Sequence, residues 1–119
     1  MSAEAIRIHA FNNMLKDLLE YISKKFPQDK DVTYARSQIE LALTLSSITS
    51  IRSFMSCAQP YLSEIYNKDE HFFLDIAKTD STLNCMHLGD KWKDLDDNDK
   101  DTIWKKLQKM VVLGNKIVG

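Results

Sequence analysis

The sequence predicts an all-α fold, a compact bundle of about five helices, and three observations predict it. Among 119 residues there are only three glycines and two prolines. Hairpin turns and phosphate-cradling loops lean on glycine for positive φ or close backbone approach, so an all-β fold, a dinucleotide-binding site or a P-loop is poorly supported. Apolar residues recur in alternating steps of three and four, the spacing of one helix face. In the first and last of these runs acids lead and bases trail, which matches the helix dipole.

Composition sets the outer bounds. Hydrophobic residues make up 44% and charged residues 28% of the chain, ordinary for a folded protein and unlike a disordered one. The length fits a single domain, residues 1–119, with one contiguous core. A formal net charge of −1 supplies no global field for nucleic acid or an anionic membrane. Cys57 and Cys85 are too few for a disulfide scaffold and read as reduced thiols. No signal-peptide core or membrane-length apolar run is present, so an intracellular, non-secreted protein is expected.

The first helix is carried by Ile8, Phe11, Leu15, Leu18 and Ile22, widened by Met14, Leu19 and Phe26. Ser2 is its N-cap, Glu4 lies in its first turn, Lys24 and Lys25 in its last, and Pro27 stops it. A second helix over residues 32–46 buries Val32, Ala35, Ile39, Ala42 and either Leu43 or Leu45. Tyr34 and Leu41 flank that stripe, which points to a helix covered on more than one side. The serine-rich stretch 46–50 is a hinge. A third run, Ile51, Phe54, Met55, Ala58, Leu62 and Ile65, contains Pro60, which predicts a kink or short break there because the apolar phase carries across it. Asp69 can cap a short helix bearing Phe72, Phe73 and Ile76. Residues 78–90 form an irregular connector, and Trp92 and Leu95 suggest one helical turn before the last helix. That helix is expected over residues 98–113, burying Ile103, Leu107 and Met110 beside Trp104 and Val111, with Gly114 as its stop. Ile117 and Val118 then have no evident place in a stripe.

The stretch KDLDDNDKD, residues 93–101, is where residue types most resemble chemistry. Asp94, Asp96 and Asn98 fit the first three liganding places of an EF-hand loop. The sixth place, a glycine in that motif, is Asp99, and the twelfth, a bidentate glutamate, is Lys105. A calcium loop fails at both. The alternative is a helix start, with Asp96 or Asp97 as cap and Asp99 and Asp101 complementing the positive helix end. Zinc is equally unsupported: Cys85 and His87 lack a second pair at close spacing. No cofactor and no metal is expected, and no glycine-rich turn offers an oxyanion hole for a Cys–His pair.

Three stretches, residues 11–31, 60–73 and 92–110, together resemble a recurrent pattern in small uncharacterised helical proteins of nucleocytoplasmic large DNA viruses of algae and protists. The matching elements are Phe11, Leu15, Phe26-Pro27, Pro60-Tyr61, Ile65, Asp69-Glu70, Phe72-Phe73 and Ile103-Trp104, and they span nearly the whole chain. Lys106 departs from the pattern, which has an aromatic there. The resemblance implies a viral protein acting in an infected cell or a virion, and it brings no catalytic residue.

The expected function is therefore a non-enzymatic helical module that binds another protein, viral or host. Its expected contact residues are Met86, Leu88, Trp104, Ile117 and Val118. The alternative is a nucleic-acid- or transcription-associated factor using Lys105, Lys106, Lys109 and Lys116 on phosphates. Self-association is compatible with the first reading.

Overall fold

In a computed structural model of the chain, residues 2–72 and 91–118 are described. The connector at 78–90, and with it Met86, Leu88, Cys85 and His87, lies outside the described residues, as do Phe73 and Ile76. The described elements are α1 (Ala3–Lys25), α2 (Lys30–Leu45), α3 (Thr49–Ala58), a 3₁₀ turn (Gln59–Tyr61), α4 (Leu62–Tyr66), a second 3₁₀ turn (Trp92–Asp94) and α5 (Asp97–Val118). No strand occurs among the described residues. Among the described residues four helices are long and α4 is a single turn. The Cα radius of gyration, 13.6 Å, is about what a close-packed chain of this length should have.

Helix boundaries follow from local chemistry. The Ser2 hydroxyl accepts from the Ala5 N–H at 3.1 Å and caps α1. Phe26, forced off helical backbone by Pro27, ends it. α2 begins two residues earlier than its apolar pattern because Asp29 caps it, accepting from the N–H groups of Asp31 and Val32 at 2.9 and 3.1 Å. Ser46 turns extended and ends α2, and its hydroxyl accepts from Thr49 Oγ1 at 2.8 Å as α3 begins. Pro60 breaks the third run into α3, a 3₁₀ turn and α4, with the proline in the first turn where its missing donor costs least. Asp69 accepts from the His71 N–H at 3.0 Å.

α1 and α5 pack along one another. Lys25 meets Asp99, Asp17 meets Lys106, and Phe11 lies beside Gly114, so the two helices run antiparallel. α5 also packs on α3 and α4, and α2 closes the other side of α1 and α3. Phe11, Leu18, Ile51, Phe54, Ile65, Ile103, Leu107 and Met110 are fully buried at the centre, each worth about 1.5–3 kcal/mol of removed apolar surface. A second aromatic group extends this core: Trp104 stacks edge-on against Trp92 with centroids 5.3 Å apart, and Phe72 packs on Trp104 and on Tyr61.

Two expectations about α5 are corrected. Gly114 does not stop the helix, which continues to Val118. Its hydrogen side chain lets Met55 and Phe11 come against the backbone, and a Cβ there would meet Met55 Cγ at 2.9 Å and Phe11 Cε2 at 3.3 Å. Gly114 is thus a buried member of the stripe Ile103, Leu107, Met110, Val111 and Gly114, and Ile117 continues it, half-buried against the core. Trp104 lies at 3% exposure inside the aromatic group and is not a contact surface.

Candidate interaction surfaces

The acidic stretch before α5 is spent on structure. Asp96 caps the helix, its carboxylate accepting from the Asp99 N–H at 2.7 Å. Asp99 is buried; its Oδ1 accepts from Tyr21 Oη at 2.7 Å and lies 2.8 Å from Lys25 Nζ. Lys25 and then Tyr21 hold the Asp99 carboxyl below the usual carboxylate range. Asp101 is held down in the same way by Lys68 and then Lys105. Among the described residues no group of three or more His, Cys, Asp or Glu side chains is placed to hold a metal ion. No helix among them is long and apolar enough to cross a membrane.

The sequence-predicted basic face is divided by the same pairing. Lys105 lies 3.0 Å from Asp101 on its own helix, and Lys106 is bonded to Asp17 of α1. Lys109 and Lys116 are exposed and make no ion pair among the described residues. Lys105, Lys109 and Lys116 share one side of α5 with Val112 and Leu113. Together with Met14 of α1 and Gln108 they line an open, almost wholly apolar groove of about 390 Å³. The Gln108 amide is fixed by donating to the Ile65 carbonyl at 3.1 Å, so α4 holds that wall. A smaller hollow of about 210 Å³, lined by Met14, Asp17, Lys106 and Lys109, extends the groove along the α1–α5 seam.

The second surface is on α2. Its buried face is Val32, Ala35 and Ile39, with Leu43 half-buried beside them. Leu45 is not on that face. Tyr34, Leu41 and Leu45 are 67%, 55% and 79% exposed. At 100° per residue these three positions fall within about 40° of one another, a single outward stripe. α2 packs on α1 and α3, but the flanking stripe of Tyr34 and Leu41, joined by Leu45, stays exposed. Of the remaining sequence-predicted contacts, Val118 is 37% exposed beside Arg52, Met55 and Gln59, and Ile117 packs inward.

The α2 stripe was half legible, because Tyr34 and Leu41 stood out as flanking apolar residues. The groove was not, because it requires Met14 of α1 to stand opposite residues nearly a hundred positions away. Comparison of the chain with protein-family models, with curated proteins and with solved structures gives no match.

Proposed function

We propose that the chain is a non-enzymatic helical module that binds another protein, with the Tyr34–Leu41–Leu45 stripe of α2 as its principal contact. The observation that carries this reading is the exposure of those three large apolar side chains in one line on a well-capped helix. Scattered exposed apolar residues are ordinary, but an aligned set is the form a helix takes when it packs against a partner. The polar side chains support it too: Asp96 is committed to the cap of α5, and Asp99 and Lys106 to ion pairs that tie α5 to α1. In line with the viral resemblance, the module would serve as a virion component or as an adaptor in an infected cell.

The nucleic-acid reading is the weaker one. Of its four lysines, Lys105 and Lys106 already face carboxylates, and the surface between Lys109 and Lys116 is apolar. A phosphate footprint needs several uncommitted cations on a polar face.

Affinity capture from cells making the full chain, compared with the Leu41→Glu/Leu45→Glu double variant, tests the proposal. A partner recovered by the native chain at moderate salt and lost with the double variant is expected. Equal recovery by both proteins, or recovery abolished by modest salt alone, rejects it.

A further inference from the structure

We infer that the groove along the α1–α5 seam is a second docking site, and that its occupant is an acidic amphipathic helix of a partner protein. This inference rests on the reading of the chain as a protein-binding module and adds to it a separate face with its own chemistry. The apolar lining of Met14, Val112 and Leu113 asks for aliphatic or aromatic side chains, since these three offer no hydrogen-bonding group of their own. The charge around it asks for acid. Lys105, Lys106, Lys109 and Lys116 border the groove and its extension; Asp101 and Asp17 pair with Lys105 and Lys106, and among the described residues no carboxylate pairs with Lys109 or Lys116. Their long stems supply apolar wall while their ammonium heads reach solvent, the arrangement in which a lysine both packs against and pairs with an incoming helix. From Lys105 to Lys116 is about 16 Å along the helix axis, room for about three turns of a partner helix. Such a helix would set apolar residues at i, i+3 or i+4, and i+7 onto Met14, Val112 and Leu113, with Glu or Asp on its flanks toward Lys109 and Lys116.

The probe is a labelled, designed three-turn peptide with leucines at those spacings and glutamates on both flanks, titrated against the full chain by fluorescence anisotropy. Comparators are the same residues scrambled, a version with lysines for the glutamates, and a short duplex DNA. Saturable binding of the acidic helix is expected, at least about tenfold tighter than either altered peptide. Lys109→Glu/Lys116→Glu and, separately, Val112→Asp should each weaken it about tenfold or more with only a small change in melting, since all three positions are exposed. No saturable binding up to about 1 mM, equal binding of the scrambled peptide, or tighter binding of the duplex overturns the inference. The native chain's preference among the four probes decides the matter even if a variant misfolds. Failure here, with capture still dependent on Leu41 and Leu45, would reject the groove and leave the α2 contact standing.

Discussion

The Tyr21 hydroxyl donates a 2.7 Å hydrogen bond to the Asp99 carboxylate, 78 positions further along the sequence, and Lys25 Nζ closes on the same oxygen at 2.8 Å. The three side chains join the last two turns of α1 to the first turn of α5. Each charge lies at the helix end that favours it, Lys25 by the negative end of α1 and Asp99 by the positive end of α5. Lys25 also stands over the Tyr21 ring, 5.6 Å from its centroid. A carboxylate as buried as Asp99 is tolerable only when so paired. The joint sets the antiparallel register of the two longest helices, and that register places Met14 opposite Lys109 and Leu113 in the groove.

The joint makes stability depend on pH on both sides of neutrality. The folded pKa of Asp99 is depressed by Lys25 and Tyr21, so its contribution is present above the unfolded carboxylate value, about 3.9, and is lost as pH falls through the folded value. Asp69 and Asp101 are shifted the same way; so is Asp29, where burial pushes upward but the Val32 N–H and Lys91 outweigh it. Lys25 and Tyr21 are both raised, chiefly by their bonds to Asp99. Their contributions are present below their unfolded values, near 10, and are lost as pH rises through the folded ones. Thermal melts followed by circular dichroism should therefore show a plateau across neutral pH with losses at both ends. Asp99→Asn should lower the plateau and flatten both limbs, and Tyr21→Phe should cost about 1 kcal/mol. An Asp99→Asn profile parallel to the native one at every pH would refute the assignment.

Gly114 should behave against helix propensity. In an exposed helix interior, glycine to alanine gains about 1 kcal/mol. Here the new methyl group would press into Met55 and Phe11, an overpacking cost of about 1–3 kcal/mol, so Gly114→Ala is expected to be neutral to destabilising by about 2 kcal/mol. Met55→Ala should itself cost about 2–5 kcal/mol, yet in that background Gly114→Ala should become stabilising. Urea denaturation of the four proteins in this cycle checks the reversal. A gain in both backgrounds would mean that Met55 yields freely.

Lys68 is the one non-glycine residue with positive φ, 56°, among the described residues. It follows α4 in a left-handed helix stop, its N–H bonding to the Ile65 carbonyl while the Asp69 N–H bonds to that of Glu64 at 2.8 Å. Lysine in this conformation costs about 1 kcal/mol, partly offset by the exposed pair with Asp101. Lys68→Gly should thus change stability by less than about 1 kcal/mol, because backbone relief and the lost pair oppose each other. Lys68→Val, which loses the pair and is β-branched, should be clearly destabilised. Equal melting temperatures for the two variants would contradict the φ-based argument.

Much of the fold was readable from local rules and some was not, for definable reasons. Ser2, Pro27, Pro60 and Asp96 act at their neighbours, so caps and breaks could be read one turn at a time. The face of α1 was legible because Phe11, Leu15, Leu18 and Ile22 keep helical spacing. Gly114 was misread because its role is set by Met55 and Phe11, which lie on other helices. Asp99 was read as a dipole complement when it also bonds Tyr21 and Lys25, and no spacing rule connects those positions. Trp104 was read as a contact residue beside the buried stripe of α5, because the residues that enclose it, Phe72 and Trp92, are distant in sequence.

Trp104 and Leu45 give the sharpest contrast between core and contact. Trp104 fills space between Trp92 and Phe72, so Trp104→Ala should cost about 3–5 kcal/mol. Leu45 lies near the end of α2 and is mostly in solvent, so Leu45→Ser should move stability by no more than about 0.5 kcal/mol. Partner binding should rank the two positions differently. Trp104→Phe, which keeps most of the buried ring area, should leave binding intact wherever the protein remains folded, whereas Leu45→Ser should weaken it without touching the melting temperature. Side-by-side melts and capture measurements on these variants check the assignment. A Leu45→Ser protein that melts several degrees lower would show that α2 turns this side chain toward its own core, and the stripe would then be packing and not a binding face.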